Sequence, residues 1–170
     1  MKKKKKLKER LRFFSFLLVF LIAILLIFSY SYLSSRMEEI LSTQGFVRMR
    51  VSKLATSENL SAIQLSGDCS QLTFYISPQQ AYSISQGLSG KRSFRPLTHD
   101  TLVNILESFG IKPIQVKITQ LKENTYYAKI YLQRWNHLLI LDSRPSDAIA
   151  IAVRTGTPIY VNSSLAKKVC

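Results

Sequence analysis

The chain has 170 residues, with 24 Lys and Arg against 10 Asp and Glu and a net charge of +14. That length holds one domain of ordinary size plus an appendage. Two cysteines and two histidines disfavour both a disulfide framework and a His/Cys zinc site. The charge is unevenly placed: residues 2–12 hold eight basic residues and one acid, Glu9, leaving 16 basic and 9 acidic residues downstream. That milder excess is compatible with a polyanionic partner, and equally with the charge scatter of an ordinary soluble domain.

Phe13 to Leu33 reads FFSFLLVFLIAILLIFSYSYL, without a charge. As a helix it would be about 30 Å long, the thickness of the hydrocarbon core, with every backbone polar group satisfied internally. Tyr30 and Tyr32 fall at its far end, where amphipathic rings favour the interface. A cleaved signal peptide is the competing reading, with Ser29 and Ser31 as small residues before the cut. Its apolar region would run to only about 7–15 residues, so the length favours an uncleaved anchor. Eight basic residues precede the span and only Arg36 and Arg48 occur in the next 15. This asymmetry predicts a cytoplasmic N-terminus and an extracytoplasmic C-terminal domain. The lysine run would sit against anionic headgroups, each charge contributing about 1 kcal/mol. The expected organisation is a basic cytoplasmic tail over 1–12, a transmembrane helix over 13–33, a polar connector over 34–45 and a folded domain over 46–170. Asn59-Leu60-Ser61 and Asn162-Ser163-Ser164 are weak glycosylation signals. An outward domain would permit a Cys69–Cys170 disulfide, but the sequence does not bring the two together.

After the connector the pattern becomes mixed. Val47, Met49 and Val51 alternate with polar residues, as do Leu72, Phe74 and Ile76, predicting two strands separated by a turn at Gly67–Ser70. Pro78 suits the first turn of a helix through about Leu88, and Gly87–Ser93 reads as a flexible loop. A second helix is predicted from Thr98, as N-cap, to Gly110, with Leu102, Ile105, Leu106 and Phe109 as its apolar stripe and Leu97 with Leu102 as a hydrophobic staple. Strands follow around Ile114–Ile118, Tyr126–Leu132 and Leu138–Leu141. The last is continuous and apolar, as in a strand covered on both faces, and the short connections predict antiparallel hairpins. Pro145–Thr155 reads as a buried helix ended by Gly156, and Ile159–Val161 as a closing strand. The fold class is therefore α+β: a mixed, largely antiparallel sheet packed with helices, preceded by one N-terminal transmembrane helix.

One internal echo carries chemistry. Arg95-Pro96-Leu97-Thr98-His99-Asp100 opens one helix, and Asp142-Ser143-Arg144-Pro145-Ser146-Asp147 opens another. Each packs acid and base around a helix N-terminus, where unpaired N–H groups and partial positive charge hold anions and a nearby arginine can pair with phosphate. These two segments, with Tyr126-Tyr127-Ala128 between them and Val153-Arg154-Thr155-Gly156-Thr157-Pro158-Ile159-Tyr160-Val161 after them, resemble the signature of the bifunctional nuclease domain family. The likeness runs from about Val47 to Val161. Two features depart from the pattern: Phe74-Tyr75-Ile76-Ser77 stands where the family usually has a Trp-Ile-Gly-like segment, and a membrane anchor is not typical.

The resemblance implies a compact α+β domain that tends to oligomerise and cleaves DNA and RNA. Under that expectation His99, Asp100, Asp142 and Asp147 form the catalytic set. Asp100, Asp142 and Asp147 would hold Mg²⁺ or another divalent cation, and Arg95 and Arg144 would bind phosphate; no organic cofactor is expected. Each has a structural alternative: Asp147 as a helix-capping acid, His99 as an exposed first-turn residue, the arginines as partners of the three aspartates. His137 and Trp135 read as hairpin surface residues, although Trp135 has the ring to stack on a base. No phosphate loop, helical metal-histidine pair or nucleophile elbow occurs. The expected partners are DNA or RNA, membrane lipid through the N-terminal helix and lysine run, and a second copy through the C-terminal domain. The alternative function is a non-catalytic, membrane-anchored binding or regulatory module on the same fold.

Overall fold

The computed structural model describes residues 2–90 and 94–170, with side chains from residue 14 onward. It divides into two compact units, Met1–Ser42 and Thr43–Cys170. The first is a single helix, α1 (Lys2–Leu41). Its stretch Phe14–Leu41 contains an 18-residue window of mean hydropathy 2.6 and is long and apolar enough to cross a membrane, a test that a signal sequence also passes. Two of its hydroxyls are satisfied locally: those of Ser29 and Ser31 donate to the carbonyls of Leu26 and Phe28. The helix runs on through much of the expected connector, where Arg36 pairs with Glu39 at 2.9 Å.

The second unit is an α+β domain. Its strands are β1 (Phe46–Thr56), β2 (Ser61–Gly67), β3 (Ser70–Ile76), β4 (Lys112–Lys122), β5 (Thr125–Arg134), β6 (His137–Ser143), β7 (Ile159–Asn162) and β8 (Lys167–Lys168). Its helices are α2 (Pro78–Ser89), α3 (Thr98–Ser108) and α4 (Pro145–Thr155). The eight strands form one sheet in the order β6-β5-β4-β7-β1-β2-β3-β8. Only β4 and β7 run parallel; every other neighbouring pair is antiparallel. Alternation sends Met49, Ile63, Leu65, Leu72, Phe74, Val116, Ile118, Ile130, Ile159 and Val161 to one face, where they meet Ala81 and Ile84 of α2 and the Ala148–Ala152 run of α4 in a single core. Every residue of this core lies within Thr43–Cys170, so the domain carries its own core. The opposite face mixes polar and charged residues with Phe46, Tyr131, Ile140 and Tyr160.

Three expectations are corrected. β2 was not foreseen: only Ile63 and Leu65 mark its buried face, and Ala62, Gln64 and Ser66 dilute the contrast. β6 is not covered on both faces but forms the sheet edge, leaving Leu139 53%, Ile140 39% and Leu141 41% exposed. In α3 the N-cap is Leu97, not Thr98, and the buried face is Val103 and Leu106, leaving Leu102, Ile105 and Phe109 exposed. α2 and α4 match expectation. Ser77 and Gln80 cap α2 reciprocally through side chain and backbone, and α4 ends at Gly156 with φ of 68°. Of the expected Gly87–Ser93 loop, residues up to Ser89 extend α2, and 91–93 lie outside the described residues.

Cys69, in the β2–β3 turn, is bonded to Cys170, with 5.3 Å between their Cα atoms. The Val169 N–H donates to the Cys69 carbonyl at 2.9 Å, and β8 pairs with Ser70 and Gln71. The C-terminus is thereby fastened along the outer edge of β3.

Candidate functional site

The site forms where the N-termini of α3 and α4 meet above α2. α4 is rich in alanine and lies close against α2. A Cβ added at Gly87 would stand 2.6 Å from Val153 Cγ2 and 2.9 Å from Arg154 Nη1, so the glycine is what lets the helices approach. That approach brings Arg154, whose side chain is 7% exposed, under the α3 entrance. Its Nε donates to Asp100 Oδ1 at 2.6 Å, its Nη1 to the Ala150 carbonyl at 2.8 Å and its Nη2 to Ser83 Oγ at 3.3 Å. Asp100 Oδ2 accepts the Leu97 N–H at 2.8 Å, the acid half of a capping box. The Arg154 hydrogen bond holds the Asp100 carboxyl below its ordinary value; burial opposes this, and the Leu97 N–H and neighbouring positive charge assist.

The chain of contacts continues to solvent. His99 Nδ1 lies 2.9 Å from Ser83 Oγ, and His99 Nε2 lies 3.4 Å from Asp147 Oδ1. Asp147 in turn accepts from Arg144 Nε at 2.7 Å and from Arg144 Nη2 at 3.2 Å. The hydrogen bond and charge of Asp147 raise the Arg144 guanidinium above its ordinary value. Arginine only donates, so Ser83 Oγ accepts from Arg154 and keeps one proton of its own. Given to His99 Nδ1, that proton leaves the neutral ring with its N–H on Nε2, facing the Asp147 carboxylate. A cavity of about 520 Å³ opens over this cluster, lined among others by Tyr82, Ser83, Thr98, His99, Arg144 and Asp147. A larger cleft of about 860 Å³, between the β1–β3 end of the sheet and α2 and α4, holds Asp68 as its one acid and no histidine. The smaller cavity therefore has the chemistry.

The bifunctional nuclease domain model matches residues 64–170, from β2 to the C-terminus and including both helix entrances. The chain belongs to the bifunctional nuclease domain family. It is 35% identical over 94 residues to an uncharacterized protein of Mycobacterium tuberculosis, covering 55% of this chain and 56% of that one. It is 35% identical over 75 residues to Bifunctional nuclease 1 of Oryza sativa subsp. japonica and to Bifunctional nuclease 2 of Arabidopsis thaliana, covering 42% of this chain and 23% of each plant protein. The chain thus spans about half the length of the mycobacterial relative and about a quarter of the plant ones. α1 lies outside the family match.

Within this family domain the residues singled out from the sequence separate into three groups. His99, Asp147 and Arg144 meet at the cavity. Asp100 turns inward to Arg154. Asp142 and Arg95 stand apart: Asp142 is exposed on β6, in register with Lys129 on the face away from the helices, and Arg95 is exposed before α3 with no ion pair among the described residues. Strand parity explains Asp142, because Leu141 takes the helix-facing position in register with Ile130. The expected metal set of Asp100, Asp142 and Asp147 does not assemble: among the described residues no three Asp, Glu, His or Cys side chains are grouped to hold an ion. Ser83 and Arg154 were missed. Their signals were faint: a polar residue on the Ala81–Ile84 face of α2, and a basic residue in the last turn of an otherwise apolar helix.

Proposed function

We propose that the protein is a membrane-tethered nuclease that hydrolyses phosphodiester bonds in DNA, RNA or both. The observation that carries the reading is the cavity over two adjoining helix N-termini, with an Asp-supported histidine at its floor and an exposed arginine at its rim, in a chain of this family. His99 is the proton-transfer group, its ring oriented by Ser83 on one nitrogen and Asp147 on the other. Arg144 is the phosphate ligand. Its side chain is 72% exposed, so its pair with Asp147 contributes little, about 0–1 kcal/mol, and yields readily to a phosphate. The positive ends of the two helices add favourable potential for the developing negative charge. These roles use only the protein's own groups. Tethering is by α1, and an extracytoplasmic domain is supported by the Cys69–Cys170 bond, which belongs to an oxidising compartment.

A non-catalytic, membrane-anchored binding module is the second reading. It is favoured by one fact: Asp100 and Asp147 are each already paired with an arginine. The test is to incubate residues 43–170 with single- and double-stranded DNA and RNA in Mg²⁺, Mn²⁺ or chelator, beside His99→Gln and Asp147→Asn proteins shown to be folded. Cleavage by the wild type that is lost in both variants supports the nuclease. Cleavage that survives in both removes this site. Protease added to intact cells should digest the domain, and full protection would reverse the orientation.

A further inference from the structure

The eight strands contain ten basic residues and a single acid, Asp142, while the other acids of the domain lie in turns and helices. Register gathers many of these cations on the face away from the helices. Reading across neighbouring strands, Asp142 pairs with Lys129, Lys129 with Lys117, Lys117 with Tyr160, and Tyr160 with Arg48. Two residues along β1, Arg50 pairs with Ser66, Ser66 with Gln71, and Gln71 with Lys167. Every strand contributes one position, and β1 contributes two. Seven strand spacings make this line about 34 Å long, comparable to about ten phosphates of one nucleic-acid strand.

Arg48, Arg50, Lys129 and Lys167 are exposed on this line, and Tyr160 is half-buried. Lys117 lies beneath the rings of Phe46, at 5.2 Å, and Tyr131, at 4.8 Å. Burial, and then the charge of Lys129, hold the Lys117 amine below its ordinary value; Lys117 is itself buried, so the exposed cations of the line are the other four. The line also has a direction. Its Lys129–Asp142 end is at the sheet edge, and Arg144, on the rim of the cavity, follows Asp142 by two residues, about 7 Å of extended chain.

We infer that the open face of the sheet is a nucleic-acid-binding surface, which holds a single strand by its phosphates and leads it around the β6 edge toward the His99 cavity. A row of cations with an aromatic ring among them is the chemistry that tracks a single-stranded backbone and stacks a base. The path turns around a sheet edge, which a flexible single strand can follow and a duplex, stiff over about 150 base pairs, cannot. An anionic lipid surface would meet the same charges but gives no reason for a line that ends beside the cavity. Only the destination of the strand rests on the proposed nuclease reading; binding to the face does not.

The test is fluorescence anisotropy with residues 43–170 and a labelled single-stranded DNA of roughly 30 nucleotides, several times the span of one small binding fold, measured across a salt series. The comparison proteins are Arg48→Gln/Arg50→Gln/Lys129→Gln, its charge-preserving counterpart Arg48→Lys/Arg50→Lys/Lys129→Arg, and His99→Gln. All of the substituted open-face side chains are exposed, and circular dichroism checks each fold. Neutralising three phosphate contacts should lower the slope of log affinity against log salt by about 2 and weaken binding at least about tenfold at physiological salt. The charge-preserving and His99 variants should bind like the wild type. Unchanged binding by the neutralised variant overturns the inference, as does tighter binding to duplex than to single strand. Loss of binding to phosphatidylglycerol vesicles with single-strand binding intact also overturns it, and assigns the face to lipid. If no protein cleaves yet the neutralised variant alone loses binding, the surface stands and the cavity reading falls.

Discussion

Removing the Cys69–Cys170 bond should destabilise the domain more than any single side-chain change on its surface. The bond closes a loop with a sequence separation of 101 residues. Loop-closure entropy assigns a cross-link of that span about 4.7 kcal/mol, most of it through restriction of the unfolded chain. The native structure adds to this, because β8 is a two-residue strand with two paired positions on β3, too short to stay docked unaided. With a urea dependence near 2 kcal/mol per molar, reduction should lower the unfolding midpoint by about 2 M. The assay is equilibrium urea unfolding of residues 43–170 with and without reductant, with Cys69→Ser/Cys170→Ser as the reductant-insensitive control. Hydrogen exchange at the Val169 amide should rise on reduction, since its bond to the Cys69 carbonyl depends on the clamp. Two titratable thiols in the unreduced, folded protein, or midpoints that coincide with and without reductant, would refute the reasoning.

Asp100→Asn leaves Arg154 charged and almost fully enclosed without its carboxylate, and should cost about 2–4 kcal/mol in urea or thermal unfolding, since removing one member of a buried pair strands the other. The same pair gives a pH signature. The folded Asp100 carboxyl lies below its ordinary value of 3.8, so its contribution is complete above pH ~4 and is lost as the pH falls through the lowered value; the Asn variant should show a shallower acid limb in stability against pH. Gly87→Ala should cost about 1–3 kcal/mol by overpacking the α2–α4 contact. It should also disturb the His99 imidazole resonances through Arg154 and Ser83, and wild-type spectra with lowered stability would disconnect the packing from the site.

What the sequence disclosed followed the strength of local contrast. α4 announced itself at both ends, with Pro145 at its start, Gly156 at its stop and an unbroken apolar run between. β4 and β5 were legible from alternation on either side of the Lys122–Asn124 turn. β2 was not, because Ala62, Gln64 and Ser66 are too small or too neutral to outline a face. The apolar run of β6 misled: hydrophobicity alone cannot distinguish a strand buried on both faces from an edge strand whose apolar side chains reach solvent. At the site, the two Arg-Pro segments indicated where to look, and His99 and Asp147 do lie side by side. Asp142 was grouped with them by chain proximity, yet a strand reverses its side chain at every residue, and one step of parity puts it on the opposite face. Ser83 and Arg154 come from elements 71 residues apart, and only the close approach at Gly87 makes them neighbours.

The arginines divide the work in a way that reconciles a structural and a chemical use of the same cluster. Arg154 is enclosed, makes three hydrogen bonds and has no freedom to meet a ligand; it fixes Asp100 and Ser83, and through Ser83 the His99 ring. Arg144 is mostly exposed and spends both of its contacts on one carboxylate. If it turns toward a phosphate, Asp147 loses its bidentate partner and is left facing His99 Nε2 alone. Asp147 is then free to engage the His99 ring without competition, since its oxygens no longer serve the guanidinium. Binding of a phosphodiester at the rim would tighten the orientation of the histidine beneath it. The prediction is specific: an oligonucleotide or inorganic phosphate should shift the His99 imidazole resonances in NMR at fixed pH, and Arg144→Gln should shift them without any ligand. If those resonances are unmoved by both, Asp147 is not the link between the rim and the ring.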